Sequence, residues 1–240
     1  MRQLSTSVKI YLGIIAVFVS IKLFFVTFPI EFPVKGQEQA FSWVFVMTIS
    51  LMGLVGIWLS RKTGFPEIWD EKITNRQRFL IPAIAGIIYG ILTVAPLLFN
   101  QINRLHPDAL RDDIHVEFPY SILFYTYGAI FLEIFLKLFL LTLIVFVISN
   151  IICRGKFQVT AFWIADVLVS LYEPLPYILE DLQGKTGTET IAPIMTNLAG
   201  WLFISNLFST YLFRKYGFLA PLTMRLTHYL IWHIVYGGLI

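Results

Sequence analysis

Charge and cysteine are both scarce in this sequence. Only 14% of its 240 residues are Asp, Glu, Lys or Arg, against about 25% in an ordinary soluble domain. With 57% hydrophobic residues beside so little charge, a water-soluble fold is excluded, because too few polar side chains remain to cover the surface. The single cysteine, Cys153, excludes an intramolecular disulfide and any multi-cysteine metal centre, and reads as a packing residue. The formal net charge of +3 is spread over short loops. No basic patch interleaved with aromatics exists, so nucleic acid is not expected as a partner. There is no internal repeat and no low-complexity tract.

What fills the chain is apolar runs of membrane length. A helix needs roughly 20 apolar residues to cross about 30 Å of hydrocarbon. Runs of that size fall near 10–30, 40–60, 79–100, 119–152, 159–179, 190–213 and 218–240. The first is too long for a signal-peptide core and is followed by no small-residue cleavage site, so it is expected to stay as a helix. At about 1.5 Å per residue the fourth run would measure roughly 51 Å, either one long kinked helix or two half-spans.

Positive charge chooses between these topologies. With one crossing at 119–152 and the N-terminus inside, the cytoplasmic segments carry Arg2, Lys9, Arg61, Lys62, Lys72, Arg76, Arg78, Arg154, Lys156, Arg214 and Lys215. The outer segments carry Lys35, Arg104, Arg111 and Lys185. Two crossings there would move the Arg214–Lys215 pair to the other side and erode the bias. The expectation is an all-α integral membrane protein, a polytopic bundle of about seven transmembrane helices, N-in/C-out. It forms one continuous membrane domain: three helices with their loops over 1–118 and a core over 119–240. The lipid bilayer is its first partner. The 61–78 and 101–118 loops, the second made acidic by Asp108, Asp112, Asp113 and Glu117, read as solvated connectors. Gly86 and Gly90 have the GxxxG spacing of close helix packing.

Ionisable residues inside spans cost about 2.5–3.5 kcal/mol each on insertion scales and often mark function. Here they are Lys22, Glu133, Lys137, Asp166, Glu173, Arg225, His228 and His233. Lys22 has no partner legible in the sequence. Glu133 and Lys137, four apart, share a helical face and can neutralise one another. Asp166, Ser170 and Glu173 share a face as well, and Pro174 should kink or end that helix. Arg225 and His228 project together, whereas His228 and His233 lie about 140° apart around a regular helix and cannot easily chelate one metal. A metal site would have to be built across helices, from His228, Glu133 and Asp166 or Glu173. The plainer reading is an internal ion-pair network of three acids and two bases, with His233 a packing residue or interface anchor.

Leu132-Glu133-Ile-Phe-Leu-Lys137-Leu-Phe-Leu, with Asn197-Leu-Ala-Gly200-Trp-Leu-Phe and Leu212-Phe-Arg-Lys-Tyr-Gly217-Phe-Leu-Ala-Pro221, resembles the bacterial CAAX-protease and bacteriocin-processing family of intramembrane proteases. The resemblance covers residues 119–240. Such proteases carry two adjacent Glu followed, after three intervening residues, by Arg, then Phe-xxx-His, then His-xxx-Asn or His-xxx-Asp. Glu there activates water, while His and Asn bind a metal or stabilise the oxyanion. Glu133 matches the second Glu, but Leu132 stands at the water activator's place and Lys137 at that of Arg. No His occurs over 167–176, where Glu173 or Pro174 stands instead. Without gaps, Arg225 falls at the His position and Tyr229 at the Asn position.

The resemblance therefore implies a catalytically degenerate relative in the bacterial plasma membrane, acting by binding a membrane protein or lipidated peptide, with no cofactor. Two alternatives remain. One is an active intramembrane endopeptidase with a rearranged site of Glu133, Glu173 and His228, in which zinc would take His228 as ligand and Lys137, Asp166 and Arg225 would form the cavity's charge network. The other is a small transporter or ion-relay protein.

Overall fold

The structure is a computed structural model that describes residues 5–30, 37–99, 115–182 and 192–239. Among these residues the secondary structure is helical, with no strand. The helices are α1 (Thr6–Thr27), α2 (Trp43–Thr63), α3 (Ile81–Phe99, entered through a π-turn at Arg76–Leu80), α4 (Tyr120–Ile152), α5 (Gln158–Ser170), α6 (Leu175–Leu182), α7 (Ala192–Tyr216) and α8 (Leu219–Tyr229, continued by a π-helical Leu230–Tyr236). The expected charges Arg2, Lys35, Arg104, Arg111 and Lys185 and the acids Asp108, Asp112 and Asp113 lie outside the described residues, as does the side chain of Asn197.

Local chemistry sets the helix ends. Ser5 and Ser42 cap α1 and α2, their hydroxyls accepting from the amides of Val8 and Phe45, as N-caps do. α2 stops at Gly64, whose φ of 71° is the left-handed C-cap conformation.

Among the described residues, four helices are long and apolar enough to cross a membrane: α1, α2, the first 20 residues from Arg76, and α4. The expected run of 119–152 is one continuous helix. The run of 159–179 is not, because α5 stops after 13 residues at Ser170 and a turn over 171–174 leads into α6. Pro174 supplies the reason, since it cannot donate its missing amide and disfavours helix in the residue before it. Large apolar side chains on α2, such as Val44, Met47 and Leu51, face outward, which suits a bilayer and not water.

Two helices organise the interior. α4 packs against α1, α2, α5 and α8, while α8 packs most extensively on α3 and also on α7. Gly86 and Gly90 make the α3–α8 approach possible: a Cβ on Gly86 would collide with Thr227 and the Met224 carbonyl, and one on Gly90 with Ile231.

The 61–78 segment is not a solvated connector. Phe65, Ile68 and Ile73 are buried, Ser7 donates to Glu67 at 2.8 Å, and Arg61 pairs with Glu67 at 3.1 Å. Gln158 donates to the Thr63 carbonyl, Asn150 to that of Lys62 at 3.2 Å, and Gly217 sits against the Glu67 carbonyl. The segment folds across the end of the bundle because its apolar side chains can be buried there. It thereby gathers at one end the segments that carry Arg61, Lys62, Arg154, Lys156, Arg214 and Lys215.

Candidate functional site

The interior charges converge on Arg225 of α8. Its Nε donates to Glu133 Oε1 on α4 at 2.5 Å, and Nη1 and Nη2 donate to the two carboxylate oxygens of Glu173, each at 2.8 Å. Nη1 also reaches the Tyr229 hydroxyl at 3.2 Å and Nη2 the Asn206 Oδ1 of α7 at 3.3 Å. Glu133 is 0% exposed and Arg225 7%. The fork of an arginine suits this arrangement, since it can bind one carboxylate with two parallel bonds and still offer Nε to another.

A second polar centre lies beside the first. Lys137 Nζ donates to Thr210 Oγ1 at 2.7 Å and to the Asn206 carbonyl at 3.3 Å. Asp166 accepts from Ser170 at 3.1 Å and lies within electrostatic reach of Lys137. Asn206 joins the two centres, with its side chain on Arg225 and its backbone on Lys137.

Two expected pairings are corrected here. No salt bridge joins Glu133 to Lys137 among the described residues. α4 is π-helical over Ile134–Leu141, a wider turn that shifts the i, i+4 register: Glu133 hydrogen-bonds to α8 and Lys137 to α7, while Glu133 stays within electrostatic reach of Lys137. Likewise Glu173 does not continue the face of Asp166 and Ser170, because α5 has ended before it. From the turn that follows, Glu173 reaches Arg225.

The sequence-derived site residues Glu133, Glu173 and His228 are only partly assembled. The two acids share Arg225, whereas His228 bonds to neither. Its ring stands edge-on to Tyr89, centroids 4.5 Å apart, and near Trp232. Glu133, Asn206, Arg225 and His228 line a small cavity of about 10 Å³ with Ser205, Ser209 and Met224. Two buried atoms on that lining, Glu133 Oε2 and His228 Nε2, have no hydrogen-bond partner among the described residues. A space of this size admits about one water, which needs two to four polar partners.

The donor set does not fit a metal ion. Among the described residues no group of three or more His, Cys, Asp or Glu side chains is placed to hold one. The proposed trio of His228, Glu133 and Asp166 or Glu173 is not assembled, because Arg225 occupies the carboxylates and Asp166 faces the Lys137 centre.

Several partners escaped the sequence reading. Asn206 and Thr210 are uncharged, and their only signal was polarity inside an apolar run. Lys22 rests over the Trp43 ring at 5.4 Å, a partner on the next helix. His233 stacks on Tyr125 at 3.9 Å and shares an Nδ1 to Nδ1 contact of 3.3 Å with His115. Burial there, outside the spanning helices, lowers the His115 pKa to about 4. No protein-family model, no curated protein and no solved structure matches the chain.

Proposed function

We propose that this chain is a non-catalytic, multi-pass protein of the bacterial plasma membrane, a degenerate relative of the CAAX and bacteriocin-processing intramembrane proteases that acts by binding a membrane protein or lipidated peptide. The topology in this reading is seven crossings, N-in/C-out. The gathering of six basic residues' segments at one end of the bundle supports it, since cytoplasmic ends collect Lys and Arg.

The observation that carries the reading is the capture of both acids by Arg225. A general base must present a carboxylate oxygen to the proton it abstracts, and a guanidinium held by three hydrogen bonds to Glu133 and Glu173 takes up most of that capacity. The charges then serve to fix α4, the α5 turn, α7 and α8 relative to one another.

One observation favours a second reading, an active endopeptidase with a rearranged site. Glu133 Oε2 and His228 Nε2 both lack partners on one water-sized cavity, where a water could meet a base. Zinc and cobalt titration of the purified protein in detergent, against a Glu133→Gln, His228→Ala double variant, separates the two. The non-catalytic reading expects no one-to-one binding that the variant abolishes. Tight binding lost in the variant would overturn it.

A further inference from the structure

The turn between α4 and α5 is built, exposed and of mixed character. Arg154 at φ 52° and Phe157 at φ 57° flank Gly155 at φ 83°, a conformation that residues with a Cβ rarely adopt. Backbone hydrogen bonds hold it: Cys153 to Ile148 at 2.9 Å, Gly155 to Ser149 at 2.8 Å and Lys156 to Cys153 at 3.1 Å. Gln158 pins it from the side through the Thr63 carbonyl. The backbone so held leaves Ile152 and Phe157 each 68% exposed, on either side in sequence of Arg154 and Lys156, which are exposed and make no ion pair among the described residues.

From this turn α5 leads away with an exposed apolar face. Val159, Thr160, Trp163, Ile164, Val167 and Leu168 line a shallow, open trough of about 500 Å³. From Val159 to Leu168 the face runs about 14 Å at the helical rise. An apolar track that begins beside two exposed cations and an outward aromatic has the profile of a phospholipid: phosphate at the cations, ring at the interface, acyl chain along the helix.

We propose that Arg154 and Lys156, with the α5 face, form a binding site for one anionic phospholipid. Its headgroup phosphate sits between the two cations and an acyl chain lies along Trp163 and Leu168. The charge selects an anionic lipid over a zwitterionic one. This site lies at the end of the bundle that carries the basic segments and needs no part of the Arg225 cluster, so it stands whether or not that cluster is catalytic.

Trp163 is a reporter in place. The protein is reconstituted in phosphatidylcholine vesicles containing a small fraction of phosphatidylglycerol with brominated acyl chains, or the same fraction of brominated phosphatidylcholine. The Trp163 signal is isolated by difference from Trp163→Phe. Brominated phosphatidylglycerol should quench Trp163 more strongly. At about fivefold per cation near a surface, an Arg154→Gln, Lys156→Gln variant should lower apparent affinity on the order of 25-fold, while Arg154→Lys, Lys156→Arg should retain the preference. Equal quenching by both lipids would mean ordinary lipid contact and overturn the proposal. So would a preference that survives in the double Gln variant, which would report the general charge of that end. Displacement by inorganic phosphate would point to a free-anion site, and Trp163 shielded from both lipids would point to a second copy covering α5; either rejects a lipid site.

Discussion

Two Arg–Glu contacts sit in opposite surroundings. Arg61 and Glu67 meet at 3.1 Å with side chains 44% and 40% exposed, whereas Arg225 and Glu133 meet at 2.5 Å with side chains 7% and 0% exposed. Water already solvates the first pair, so forming it gains little, about 0–1 kcal/mol. In the second, the ions have left water, and each depends on the other to offset a desolvation cost of several kcal/mol. The shorter pair is also the buried one, and its weight for stability follows from that burial.

The largest break in this comparison should come from Arg225→Ala. Leaving Glu133 and Glu173 without their guanidinium should cost about 3–5 kcal/mol, measured as a fall in thermal stability in detergent. Adding Glu133→Leu and Glu173→Leu to Arg225→Met should recover much of that loss, since apolar replacement of a buried ionic set is often neutral or better. If the single variant melts with the wild type, the cluster contributes no net stability and the scaffold reading loses its support.

A smaller effect is expected from the packing that brings α8 to the cluster. Gly86→Ala places a Cβ against Thr227 and the Met224 carbonyl, and overpacking of this kind costs about 1–3 kcal/mol. Gly13→Ala and Gly128→Ala, where a Cβ would meet nothing within 4 Å, serve as controls and should not be destabilised by crowding.

The His115–His233 contact adds a pH dependence. With the His115 pKa lowered to about 4 by burial, its neutral form belongs to the folded state. The stability it carries is present above the ordinary histidine pKa of about 6.5 and is lost as pH falls towards 4. The melting temperature should drop over that window by on the order of 5 °C. A melting curve equally steep in His115→Gln would remove His115 as the cause.

The smallest effect belongs to the exposed pair. Arg61→Gln should change stability by less than about 1 kcal/mol, and raising salt should shrink even that, whereas the Arg225 cluster should be nearly insensitive to salt because it is buried. A large, salt-dependent loss in Arg61→Gln would reverse the ranking drawn from exposure.

Much of this was legible along the chain. Helices fill the apolar runs, Glu133, Asp166, Glu173, Lys137 and Arg225 stand out as charges within them, and Pro174 announces the end of α5. Their pairing was not legible. Arg225 meets a carboxylate 92 residues away and another 52 away, and no local spacing encodes those distances. Regular helical spacing puts Lys137 beside Glu133, which stays within electrostatic reach, but its hydrogen bonds go to Thr210 and the Asn206 carbonyl. The polarity of the 61–78 segment suggests a solvated connector, while its buried Phe65, Ile68 and Ile73 hold it against the bundle.

Sequence alone determined that the chain is helical and suited to a bilayer, and which residues carry charge inside it, because the cost of inserting a residue depends on its own chemistry and its near neighbours. Only the tertiary structure decided who answers each charge. That choice depends on how α4, α7 and α8 cross and how a widened helical turn rotates their faces, and both are set by packing between segments far apart in the chain.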